Sequence, residues 1–432
     1  RVTKTATEGL NQNEIKKIAI ALRKAHLIRH QFVAWPLLEY TETSESLVTV
    51  DLRSIIDIKT SNIENEIPES IQEIAPRFIH LDEILLFQLL GALRKNEINT
   101  AYSWGSIEKY FSFSSVRDAI RFSSGDKKED AIVRETKIND SGTSDKKKKL
   151  LVGIANIHVN GKDIEASYHP NKQPNLLLER QSNIFNIINE AIRKPKCDLI
   201  VLPEVSIPYA WLPFMVDQAR KTDIGMIFGL EHLPLKNKQV YNLIATLLPF
   251  RTKGGYHNCF ISLRNKNHYS PRETEILHSL GLTKPNEEII YDRFNWRRSC
   301  FSSYNCFELT DVNHRGIFRS DVDFLVSVSY NKDINRFSNI IEATTRDVHS
   351  FMVHVNTSQF GDSRIISPKK TEEKDIVRVT GGVNPVLMKG YLDIEGLRHF
   401  QSHSYRQDDT SYKPTPAGFD HKAARGRCNS QK

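Results

Sequence analysis

The run Leu150-Leu-Val-Gly-Ile-Ala-Asn-Ile constrains this chain more than any other stretch. It is apolar at almost every position and shows no alternation. A strand of that kind belongs to a sheet covered on both faces. From there the chain switches between short apolar runs and patterns of period three to four. The spacing predicts helices over 176–192, 212–220, 272–280, 310–319 and 334–350. It predicts strands over 150–158, 198–202, 224–230, 240–248, 256–263, 299–305, 323–329, 352–356 and 363–366. Strands alternating with helices, with a few hairpins, indicate a layered α/β domain. Its expected extent is 150–398.

The flanks read differently. In residues 1–125, Ile15, Ile18, Leu22 and Ala25 recur at helical spacing, and a second, more apolar helix is expected from Leu81. Residues 126–149 are dense in charge and end on the lysines 146–149, which reads as a linker. Residues 399–432 turn polar, irregular and basic, which reads as a tail. The whole chain of 432 residues carries a formal charge of +8. Nucleic acid is therefore a candidate partner through the upstream region or the linker. The five cysteines, Cys197, Cys259, Cys300, Cys306 and Cys428, form no Cys-x-x-Cys pair. That argues against a disulfide framework or a cysteine-rich zinc site and fits a reducing cytoplasm. No apolar run is long enough to span a bilayer. The chain begins at Arg1 rather than Met, so a preceding segment is expected.

Three polar side chains close or follow predicted strands: Glu204 after Leu-Ile-Val-Leu-Pro, Lys266, and Cys306 after Ser-Ser-Tyr-Asn. Breaking a carbon–nitrogen bond needs a nucleophile, a proton carrier and a holder for the oxyanion. A free thiol needs a neighbour to activate it. Cys306 is read as the nucleophile and Glu204 as general acid and base. Lys266 and the backbone N–H of Phe307 are read as oxyanion donors. Cys300 is the rival nucleophile, but it lies inside its strand.

In these positions the chain resembles the carbon–nitrogen hydrolase (nitrilase) superfamily, over roughly 150–397. The carrying segments are Asp198-Leu-Ile-Val-Leu-Pro-Glu204, Lys266-x-His268-x-x-Pro271-x-Glu273 and Asn305-Cys306-Phe307-Glu308. Ser320-Asp-Val-Asp323 through Asn331, and then Arg346, Asn356 and 361–368, continue the pattern in order. The resemblance implies a four-layer α-β-β-α sandwich behind a small helical region. It also implies a Glu-Lys-Cys triad acting through a thioester-type intermediate, no metal or organic cofactor, and a homo-oligomer of two subunits or more. A second glutamate near the lysine is usual. Glu273 is the nearest candidate, one residue closer to Lys266 than the pattern suggests, and Glu275 competes. Leu309-Thr310-Asp311 departs from the usual residues after the cysteine, leaving aliphatic amidase, N-carbamoyl hydrolase, glutaminase and acyltransferase all open; the bond expected to break is an amide, carbamoyl or nitrile carbon–nitrogen bond. The architecture is similar to that of bacterial defence proteins that join a reverse transcriptase to a C-terminal nitrilase-like domain. Residues 1–125 would then end the polymerase part. The competing expectation is a non-catalytic oligomerisation scaffold in such a nucleic-acid-associated protein.

Overall fold

The computed structural model describes residues 119–141, 149–169, 174–235, 237–253, 255–285, 288–403 and 411–429, together with Asp82, Leu85, Leu86 and Leu89. The expected helical region up to residue 118 otherwise lies outside the described residues, as do 142–148 of the linker. The chain is mixed α/β. Its larger sheet has eight strands: β1 (Ile120–Lys128), β2 (Ala131–Ile138), β10 (Ile290–Trp296), β11 (Ser299–Asn305), β12 (Phe324–Ser329), β13 (Phe351–Asn356), β14 (Ser363–Ile366) and β15 (Asp375–Val379), in that spatial order. The second sheet has six: β16 (Val386–Leu392), β3 (Leu150–Asn156), β4 (Leu199–Val201), β5 (Gly225–Gly229), β8 (Leu243–Arg251) and β9 (His257–Asn265). A two-stranded ribbon, β6 (Leu233–Pro234) and β7 (Val240–Tyr241), completes the strands among the described residues.

Period-two alternation divides the larger sheet between two cores. Phe324, Val326 and Val328 of β12, with Phe351, Val353 and Val355 of β13, share one core with Val152 and Ile154 of β3 and Leu199 and Val201 of β4. The side chains between them, Leu325 and Met352, face the other way. There they meet Phe337, Ile341 and Val348 of the helix α6 (Ile334–Val348). Burying each such side chain is worth about 1.5–3 kcal/mol. After the short helix α1 (Gly161–Ser167), α2 (Leu178–Ile192) packs near β16 of the second sheet and α3 (Leu212–Thr222) on β8 and β9. The described remnant of the predicted helix at 81–90 joins the first core through Leu85, Leu86 and Leu89. Asp82 reaches Arg220 of α3 at 3.4 Å. No helix among the described residues is long and apolar enough to cross a membrane.

Three expectations are corrected. Residues 120–138 are a β-hairpin at the edge of the larger sheet rather than a helical end running into a linker, and β2 pairs in parallel with β10. The charges that suggested a linker occupy the more exposed positions, while Ala131, Val133, Thr136 and Ile138 are buried. The sheet does not end at 366, since β15 and β16 follow it. Residues 399–403 and 411–429 are not a loose tail: α7 (Ile394–Ser402) and α8 (His421–Asn429) pack on each other, and Arg427 is buried 3.5 Å from Asp323. Basic residues there fold inward because Asp323 provides a buried carboxylate for them.

His354 on β13 is fully buried, with Nδ1 3.3 Å from the Ser327 hydroxyl. Burial pushes its imidazole down from 6.5 to about 4. The folded chain holds the ring neutral, whereas the unfolded chain protonates it below about 6.5. The contribution is therefore complete above that pH and is lost as pH falls toward 4, by about 3 kcal/mol across the window. Urea unfolding at neutral and mildly acidic pH should show this loss in the wild-type chain and a smaller one in His354→Gln. Equal losses in the two would contradict the assignment.

Candidate active site

Strand direction brings the site together. β5 runs parallel to β4, β8 antiparallel to β5, and β9 antiparallel to β8. The C-terminal ends of β4 and β9 therefore point the same way, and the start of β8 lies at that same rim. Glu204 follows β4, Asn242 precedes β8, and Lys266 follows β9 directly. Cys306 directly follows β11 of the other sheet and opens a 3-10 turn, Cys306–Thr310. Its φ of 47° is in the left-handed region, which is strained for a residue with a Cβ. The following helix, α5 (Val312–Gly316), is shorter than the expected 310–319 because Asp311 interrupts and re-caps it.

Lys266 lies between two carboxylates. Its Nζ donates to Glu204 Oε1 at 2.8 Å and to Glu273 Oε2 at 2.6 Å. Glu273 is held there by its own helix, α4 (Pro271–Ser279). It is the third helical residue and accepts the Ser270 N–H at 2.8 Å, while its N–H donates to the Ser270 hydroxyl at 3.2 Å. This capping box sets the short spacing from Lys266. Glu275 sits on the exposed side of the same helix. Asn242, which the sequence did not single out, joins the carboxylates: its Nδ2 donates to Glu204 at 3.0 Å and to Glu273 at 2.8 Å. Its Oδ1 accepts from Asn305, the residue before the cysteine, at 3.0 Å. The signal was a lone Asn interrupting the apolar run 240–248. The Tyr330 N–H donates to the second oxygen of Glu204 at 3.0 Å.

The electrostatics couple the thiol to this group. Burial lowers the affinity of Lys266 for its proton, but Glu204 and Glu273 outweigh it and hold the ammonium well above its usual range. Burial pushes the Glu273 carboxyl up, and Lys266 with His232 more than reverses it. The Cys306 thiol is pushed well up, first by burial and then by Glu204, while Lys266 and the Tyr330 N–H oppose the rise. The resting sulfur is thus a neutral thiol beside an ion cluster. Cys306 keeps 7% of its surface, against 1% or less for Cys197, Cys259 and Cys300. Cys300 faces Asp323 and Arg398 instead of the lysine. Phe307 follows Cys306 in the 3-10 turn. Arg346, named in the family pattern, lies on α6, inside the expected helix 334–350.

Two sheets supply this site, and one buried ion pair joins them. Arg264 at the end of β9 donates to both oxygens of Glu308, at 2.6 and 2.8 Å. Glu308 also accepts the N–H of Asn267 and of Asn305, each at 2.6 Å. The neighbours of Lys266 and Cys306 are therefore bound to one carboxylate.

No protein-family model matches the chain, and no curated protein matches it. Solved structures with a similar backbone include a CN-hydrolase superfamily protein from Xanthomonas campestris with an arsenic adduct in the active site. It is 12% identical, with a TM-score of 0.41 over 60% of this chain and 98% of that one. The amidase from Nesterenkonia sp. is 14% identical, with a TM-score of 0.40 over 58% of this chain and 92% of that one. A mutant of that amidase, showing covalent addition of the acetamide moiety of fluoroacetamide at the active site cysteine, is 14% identical, with a TM-score of 0.41 over 58% of this chain and 93% of that one.

Because the Glu204 carboxylate raises the Cys306 thiol, Glu204→Gln should lower the midpoint of its pH-dependent alkylation by about one pH unit or more. Lys266→Met should move it the other way. Iodoacetamide labelling across pH, read at Cys306 by mass spectrometry, measures both. A midpoint that rises in Glu204→Gln would show that the carboxylate does not face the sulfur.

Proposed function

We propose that the chain is a cysteine-dependent hydrolase of a non-peptide carbon–nitrogen bond, built on a four-layer α-β-β-α arrangement of the two sheets and their helices. One observation carries the reading: a buried ammonium shared by two carboxylates and electrostatically coupled to the thiol at a strained strand end. Separating such charges from water costs several kcal/mol, and the left-handed Cys306 backbone adds about 1–3 kcal/mol. A scaffold gains nothing evident from either cost, which disfavours the non-catalytic alternative.

The chemistry follows from the proton inventory. The thiol is neutral at rest, so attack on a carbonyl carbon requires its proton to leave as the S–C bond forms. Glu204 takes that proton. The carbonyl π electrons move to oxygen, and the tetrahedral oxyanion is held by Lys266 and the Phe307 N–H. An ammonium has three N–H donors, and Glu204 and Glu273 occupy two of them, which leaves the third for the oxyanion. On collapse the C–N bond breaks, and Glu204 returns the proton to the departing nitrogen. A thioester remains. Water then attacks it with Glu204 again as base, releasing the carboxylic acid and the thiol. Asn242 and Glu273 position the carboxylate and the ammonium for these transfers.

Ammonia release from a panel of short amides, carbamoyl compounds and nitriles tests the reading. Cys306→Ala should abolish turnover while circular dichroism stays unchanged. Glu204→Gln and Lys266→Met should each lower kcat by about 10²–10⁴-fold. Turnover that survives in Cys306→Ala would overturn the proposal.

A further inference from the structure

A second cluster lies just beyond the lysine. His268, two residues after Lys266, presents Nε2 at 3.0 Å from Nδ1 of His314 on α5. Oδ2 of Asp311 is 3.6 Å from each of these nitrogens. The three atoms form a near-equilateral triangle. Tetrahedral zinc, with bonds of about 2.0–2.1 Å, sets its ligand atoms about 3.3 Å apart. A hydrogen bond between the imidazoles accounts for one side of the triangle only, because 3.6 Å is too long for the carboxylate to accept from either ring.

The surroundings match a metal site in four further respects. The far nitrogen of His314, Nε2, is 2.6 Å from Asp130 Oδ1 in the β1–β2 turn. A carboxylate there keeps the proton on Nε2 and leaves the Nδ1 lone pair facing the triangle, the outer-shell arrangement usual for metal-bound histidine. The other Asp311 oxygen, Oδ1, caps α5 by accepting from Asn313 and His314 at 2.9 and 3.0 Å, which fixes the direction of Oδ2. The Tyr291 hydroxyl is a further oxygen 3.3 Å from Nδ1. The His314 side chain is 1% exposed, while those of His268 and Asp311 are 28% and 32% exposed, so the cluster has a buried anchor and an open side for entry.

We propose that His268 Nε2, His314 Nδ1 and Asp311 Oδ2 bind one divalent transition-metal ion of the zinc type. The ion fastens three segments: the loop that carries Lys266, the helix after the Cys306 turn, and, through Asp130, the hairpin β1–β2. Its part is structural, since none of these ligands is among the groups assigned to bond breaking. The inference stands apart from the hydrolase reading and is tested without any substrate.

The experiment uses the full chain, free of any affinity tag, in a Cys306→Ala background so that the thiol cannot bind metal. Zinc content after equilibrium dialysis, and competition with a chromophoric chelator, should give one zinc per chain. His268→Gln and Asp311→Asn should each weaken it at least tenfold; the asparagine keeps an oxygen to cap the helix, and both side chains are partly exposed. Asp130→Asn should weaken it by about 10–100-fold. Cobalt in place of zinc should show the visible bands of a four-coordinate ion. Failure to take up zinc, or zinc held equally well by His268→Gln and Asp311→Asn, would overturn the proposal.

Discussion

The Glu308 carboxylate holds the site in register. It is fully buried and receives four donors, two from Arg264 and one each from the N–H groups of Asn267 and Asn305. Those donors come from both sides of the inter-sheet boundary. Removing one charge would strand the other in the interior, a penalty of about 3–5 kcal/mol for pairs of this kind. The pair therefore does more than stabilise. It fixes the residue after Lys266 and the residue before Cys306 to the same two oxygen atoms, so their separation does not depend on loose loop packing. Arg suits this role because its guanidinium meets both carboxylate oxygens at once.

Around that clamp the charges are arranged in an unequal way. Glu204 and Glu273 share one ammonium, with Asn242 bridging the two carboxylates. Glu273 is drawn strongly toward the ionised form, while the thiol beside the cluster is pushed toward the neutral one. A sulfur kept protonated at rest is protected from adventitious oxidation, and in the proposed mechanism it loses its proton only as the bond to carbon forms. In the proposed mechanism the labour is divided accordingly: Glu273 keeps Lys266 charged and placed, and Glu204 moves the protons. The strained φ at Cys306 turns its side chain out of the β11 line toward that cluster, where an extended residue would remain in the sheet.

The strands of the second sheet up to β9 were legible because a sheet covered on both faces leaves long apolar runs, as in 150–156. Glu204 and Lys266 were legible for the same reason, since a charge stands out where an apolar run stops, and Cys306 stood out likewise at the end of β11 in the larger sheet. The hairpin β1–β2 was not, because its exposed charges outnumber its buried apolar residues and imitate a linker. β15 and β16 escaped because most of their side chains are exposed or half-exposed, so neither shows an apolar run. Arg264 was not singled out, because it lies one residue past the expected strand 256–263; only its partner, 44 residues away, makes it interior. The His268 and His314 pairing is equally invisible at a spacing of 46 residues, because no short motif joins them.

The central claim is that the Cys306 sulfur becomes covalently bonded to the acyl carbon of the substrate. Rapid quenching of the chain during turnover of an amide, followed by intact-mass measurement and peptide mapping, tests it most directly. The account predicts an acyl adduct on Cys306 that forms before the acid is released and decays with it. Ammonia release with no adduct at any point in the time course, or an adduct confined to another cysteine, would contradict it.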